Sequence, residues 1–251
     1  MSRTQKKNVR NLIFTMLAIT AIGIGIAIHH YSSVNQSVDP RIKNARVMYQ
    51  KYNEFAQQSQ YDSIFDLMDR IEEVYSAIPH YRNSYEVGVL HNNRAAAYLS
   101  IFLQADSYPL ADTLKILGNA EKEAKHSIHI YNKWMKEYSN KEEEAIKEKI
   151  KEGFLQGLES YGLNEQDKYL NKRVKEFMEA QTENQRRLSV SYTNLGIIKR
   201  HQQKYDSAAI FYAKAIELWD RNLTAENNLN ILLNKPLKKR GVIESLFPPE
   251  R

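Results

Sequence analysis

Residues 189–222 read SVSYTNLGIIKRHQQKYDSAAIFYAKAIELWDRN, a stretch of 34 residues that decides the fold. Tyr192, Leu195, Gly196 and Lys199 recur at intervals of three and four, the spacing that puts side chains on one face of a helix. After the polar turn around Gln202 and Gln203, a second run places Tyr205, Ala208, Tyr212 and Ala215 on one face in the same way. Small residues set between aromatic ones let two antiparallel helices interdigitate at short distance, and Gly196 lets the backbones come closest. The stretch predicts a helical hairpin.

The same positions resemble the tetratricopeptide repeat, whose period is also about 34 residues. Tyr192 stands where that family's first helix usually has Trp, Leu195-Gly196 matches its Leu-Gly pair, and Tyr205, Ala208, Tyr212 and Ala215 fill the remaining signature positions. Lys199 in place of a Tyr and Asp220 in place of a closing Pro depart from the pattern without breaking the helix pair. Working outward, residues 88–131 resemble a second repeat. Asn93-Arg94-Ala95-Ala96-Ala97-Tyr98 forms its first helix, and an insert near Tyr108-Pro109 delays its second helix to about Ala120. A degenerate third unit runs from Pro40 to Pro79, with its second helix beginning near Tyr61-Asp62. Residues 225–234 read as a helix capping the last repeat, and solenoids need such a cap for solubility. Two amphipathic helices, one carrying Ile146, Ile150, Phe154, Leu155 and Leu158 and one carrying Leu170, Val174, Phe177 and Met178, flank a break at Tyr161-Gly162-Leu163-Asn164. The expected fold is all-α, a solenoid of antiparallel helix pairs over residues 41–234, preceded by a single transmembrane helix.

That membrane expectation rests on residues 12–28, LIFTMLAITAIGIGIAI, an uncharged apolar run at the short end of what spans a bilayer (roughly 17–25 residues). Arg3, Lys6, Lys7 and Arg10 precede it, and His29, His30 and Tyr31 follow. The run is longer than a signal-peptide core and lacks a small-x-small cleavage site after it, which favours an uncleaved anchor. The resulting division is a basic cytoplasmic tail (1–10), a membrane helix (11–31), a linker (32–40), the helical domain (41–234) and a basic, proline-containing tail (235–251). The positive-inside rule then puts the domain outside the cytoplasmic membrane.

The formal charge of +6 narrows the partners little, because four of its positives lie in the first ten residues and the rest nets 36 − 30 − 4 = +2. Nucleic acid is not expected. The absence of cysteine excludes disulfides, thiolate metal ligands and cysteine nucleophiles. No phosphate loop, nucleophile elbow or metalloprotease motif is present, so no catalytic, cofactor-binding or metal residue is assigned. His126 and His129, with Glu123 one turn earlier, have metal-compatible spacing but no matching pair to complete a site.

The resemblance implies a concave groove that holds a protein partner. Carried over by register, its lining would be Asn92, Ala96 and Leu99 in the earlier repeat, and Thr193, Ile197, Arg200 and His201 in the last. Asn92, Ala96 and Ile197 replace the Lys and Asn residues of the family's carboxylate clamp, which argues for a helix or loop of a folded partner rather than a peptide terminus. The expected function is a non-enzymatic adaptor anchored at a membrane. The alternatives are a structural subunit of a transport or secretion complex assembled through its membrane helix, and a ligand-binding envelope protein.

Overall fold

The computed structural model describes residues 37–104 and 110–239, and it is all-helical, with no strand among them. A 3₁₀ turn, Pro40–Ile42, leads into α1 (Lys43–Tyr49) and α2 (Tyr52–Gln57). Then follow α3 (Tyr61–Ser76), α4 (Tyr85–Leu103), α5 (Leu110–Tyr138), α6 (Glu143–Leu155), α7 (Leu163–His201), α8 (Tyr205–Leu218) and α9 (Leu223–Leu232).

Helical periodicity accounts for these elements. In α3, Ile64, Leu67, Met68, Ile71 and Tyr75 are the buried positions, spaced by three and four along one stripe. Each fully buried Leu or Ile contributes about 1.5–3 kcal/mol relative to exposure. In α6 the buried set is Ile146, Ile150 and Phe154. The turn after it closes on Leu158, which is fully buried outside the helix.

Two helix pairs, α4 with α5 and α7 with α8, run antiparallel. Between α4 and α5, the Ser127 hydroxyl donates to the Gly88 carbonyl at 2.8 Å, and His91 meets Glu123 at 2.6 Å. Gly88 makes the contact close, since a Cβ there would sit 3.1 Å from the Tyr131 ring. Between α7 and α8 the approach is closer still. A Cβ on Gly196 would come within 2.5 Å of the Tyr212 ring. The Ser189 hydroxyl donates to the Ala215 carbonyl at 2.6 Å, and serves in turn as acceptor for Asn222 at 2.7 Å.

The last third of α7 runs parallel to both α4 and α9. Asn92 of α4 accepts from Ser191 and Asn194 of α7, both at 3.0 Å, and ten residues on Phe102 meets the His201 ring at 4.9 Å. The start of α9 joins α7 in the same sense. Asn222 donates to Thr193 at 2.9 Å, and further along Arg200 donates to Asn228 at 3.0 Å.

Several expectations change. The delayed second helix after Tyr98 is a lengthened helix: α5 starts at Leu110, ten residues before Ala120. The first helix of the Pro40–Pro79 unit is broken at Gln50 and Lys51 into α1 and α2, while its second begins at Tyr61 as read. The helix through Leu170 and Met178 does not end before Ser189. It continues as α7 for 39 residues, about 58 Å at 1.5 Å per residue, because no Gly or Pro interrupts it until Gly196. The membrane placement is also corrected. No helix among the described residues is long and apolar enough to cross a membrane. The longest, α7, has an uncharged stretch of only eleven residues, 188–198. The segment 12–28 lies outside the described residues, and so does the tail beyond residue 239.

Candidate binding cleft

A concavity of about 960 Å³ lies between α1, the first half of α4 and the middle of α7. Beneath three of its lining residues, Tyr85, Glu86 and Glu176, lies a buried guanidinium. Arg173 sits on the same face of α7 as Leu170, Val174 and Phe177, and all four are buried. An arginine there costs several kcal/mol of desolvation unless its donors are satisfied.

They are satisfied. Nη1 donates to Glu86 at 2.5 Å, to Glu176 at 3.1 Å and to the Tyr85 hydroxyl at 3.4 Å, while Nη2 donates to Glu86 at 3.2 Å. Nε donates to His80 Nε2 at 3.1 Å, which leaves the His80 proton on Nδ1. The faces of the guanidinium lie 4.4 Å from the Tyr81 ring centre and 4.7 Å from that of Phe177. Arg46 of α1 closes the network on Glu176 at 2.7 Å. Two cations, Arg173 and Arg46, thus tie α1, the α3–α4 loop, α4 and α7 into a fixed frame.

Titration follows from this geometry. Burial alone would raise the Glu86 carboxyl, but the charge and hydrogen bonds of Arg173 outweigh it and hold the group down to about 2. Burial and then the Arg173 charge push His80 down to about 3, so the ring is neutral at physiological pH. Burial raises Tyr85 well above its ordinary value. Such groups are fixed in one protonation state near neutrality, which suits a frame rather than proton transfer.

The lining of the concavity is polar, aromatic and balanced in charge. Arg46, Lys172, Arg186 and Arg187 face Glu86, Glu176, Glu179 and Glu183, four of each sign. Glu183 is engaged by Arg186 at 2.6 Å and by Arg187 at 3.3 Å. Lys172 and Glu179 have no ion-pair partner among the described residues. Tyr49, Tyr75, Tyr85 and Tyr131 line the cleft, and Tyr49 accepts from Asn93 at 2.9 Å. Asn92 directs its oxygen to α7, which leaves its two N–H groups for a guest. Val190 gives an exposed apolar edge.

A smaller depression of about 310 Å³ lies between α3, α4 and α5. His91 bridges it, 2.6 Å from Glu123 and 3.8 Å from Glu72, with the His126 ring 5.0 Å away. Arg94 holds Glu72 at 2.5 Å and Asp69 at 2.7 Å. Glu123, weighed with His126 and His129 as a metal ligand, is therefore committed to His91. Among the described residues no group of His, Asp and Glu has metal-binding geometry.

The seven residues expected to line a groove separate in the structure. Only Asn92 lines the cleft. Leu99 is buried in the core, and Thr193 is buried under α9, where it donates to the Ser189 carbonyl at 2.9 Å and accepts from Asn222. Neither is open to a partner, and the start of α9 covers Thr193. Arg200 is turned to Asn228, and His201 packs against Phe102. Ala96 and Ile197 are half-buried. Arg173, Glu86, Glu176, Arg46 and Lys172 went unrecognised in the sequence. The available signal was the arginine at an apolar-face position between Leu170 and Phe177.

No family model matches the chain, and no curated protein or solved structure matches it. The cleft is therefore interpreted from its own chemistry.

Proposed function

We propose that the chain is a non-catalytic scaffold of tetratricopeptide-like helical pairs that holds a segment of another protein in the cleft between α1, α4 and α7. The observation that carries this reading is an open, charge-balanced cleft with Tyr49 and Val190 at its surface, set on a frame fixed by buried Arg173. Tyrosine offers a large amphipathic contact at low entropic cost, and it is enriched at protein interfaces. Equal numbers of cations and carboxylates give little net attraction for a polyanion but can pair with a polypeptide of mixed charge. The parallel stacking of α4, the last third of α7 and α9 supports the repeat-like arrangement, since the first helices of stacked pairs align in this way.

The test places a photo-crosslinking amino acid at Val190 or Lys172 in the cleft, and at Ile210 or Lys214 on the outer face of α8. The expected result is one defined protein adduct from the cleft positions, lost on adding Val190→Glu to the Lys172 probe and absent from the α8 positions. Equal adducts from both faces would overturn the reading. A metabolite that raises the melting temperature and blocks the adduct would instead favour a ligand-binding protein.

A further inference from the structure

We propose that the outer face of α9 is a second docking surface, one that reads the main chain of an extended polypeptide, and that residues 235–238 are its exchangeable resident. This is independent of the cleft. The chain leaves α9 through Asn234, at φ 54°, with the Lys235 N–H donating to the Asn230 carbonyl at 2.8 Å. It then doubles back antiparallel to the helix. Asn230 Nδ2 donates to the Pro236 carbonyl at 3.2 Å. Two residues on, Asn227 holds both main-chain polar groups of Lys238: its Oδ1 accepts the N–H at 2.8 Å and its Nδ2 donates to the carbonyl at 3.0 Å. The Lys238 ammonium pairs with Glu226.

The two amides hold successive contact points of the returning segment. Asn227 and Asn230 lie one helical turn apart, a rise of about 4.5 Å. They meet main-chain groups two residues apart on the extended segment, about 6.6 Å. An amide that satisfies both the donor and the acceptor of one residue recognises backbone and tolerates varied side chains. Selectivity comes from Glu226, which asks for a Lys or Arg opposite it. Proline at position 236 fits, because only its carbonyl is used.

The resident is held lightly. Leu237 is 58% exposed, and Ile231 and Leu233 beside it are 52% and 50% exposed, so the segment buries little apolar surface. Its hydrogen bonds and ion pair are open to water, where each contributes little net free energy. The fitting partner is therefore an extended segment with an apolar residue followed by a basic one. It would displace residues 235–238 while leaving α9 intact.

The test uses the full chain and a fluorescein-labelled peptide with the sequence of residues 235–240. Lys238→Pro removes the N–H that Asn227 accepts, and loosens the resident without touching the helix. A tethered resident competes at an effective concentration in the millimolar range, so the peptide should bind Lys238→Pro at least about tenfold tighter than wild type. That binding should be lost when Asn227→Ala is added, and weakened when the peptide carries Glu in place of its central Lys. Equal affinity for wild type and Lys238→Pro, no binding to Lys238→Pro, or binding unchanged by Asn227→Ala would each overturn the proposal.

Discussion

The hairpin of α7 and α8 and the frame around Arg173 both fix helices against one another, by opposite means. In the hairpin, Gly196 and Ala208 bring backbones together and Tyr212 fills the remaining space, so the contact is dense and closed. In the frame, charge and aromatic rings do the work, with Glu86, Glu176 and His80 holding one guanidinium among Tyr81, Tyr85 and Phe177. Side chains this long keep helix axes apart, and the separation leaves a cleft. Close packing gives stability without an opening. The ionic frame gives an opening at the cost of buried charge.

The largest expected effect falls on the frame. Arg173→Met strands Glu86 and Glu176 without their cation and should destabilise the chain by about 3–5 kcal/mol in urea unfolding. Adding Glu86→Gln should restore part of this, since the uncompensated charge is then removed. A loss below about 1 kcal/mol would show that the frame is not held by charge.

Acid should act on the same region next. Glu86 stands at about 2 in the folded chain, below its ordinary 4.5, so its contribution is present above pH 4.5 and fades as the pH falls toward 2. His80 stands at about 3, below its ordinary 6.5, so the unfolded chain takes up a proton first as the pH drops. Both groups make stability fall in acid. Between pH 7 and 4.5 the His80 part amounts to about 2–3 kcal/mol. His80→Gln should flatten that part of the profile, as read from the urea midpoint at each pH.

The hairpin should respond to volume instead. Gly196→Ala drives a methyl into the Tyr212 ring and should cost about 1–3 kcal/mol with no pH dependence, since no charge is involved. The smallest effect belongs to the exposed pair of Lys214 and Glu217, where Lys214→Ala should change stability by less than about 0.5 kcal/mol.

The difference also explains what the sequence made legible. The hairpin rests on local spacing of small and aromatic residues, and Tyr192 to Ala215 carried it directly. The frame joins Arg46, His80, Glu86 and Arg173, which lie far apart in the chain, and no local pattern links them. Arg173 on an apolar face was visible, but its partners were not. The expected groove residues are not brought together for a related reason. Their register came from single repeats, while α5 and α7 extend beyond one repeat helix and the start of α9 covers Thr193. The antiparallel pairing of α4 with α5 was readable from Asn93 to Tyr98, whereas the continuity of α7 went unread, although no Gly or Pro interrupts it up to Gly196.

The most direct test of the cleft is radical footprinting of the chain with and without its crosslinked partner. Tyr49 and Val190 should lose reactivity on binding, while Tyr205 and Ile210 on α8 keep theirs. Protection of Tyr205 and Ile210 with Tyr49 and Val190 unchanged would contradict the assignment and move recognition to the opposite face.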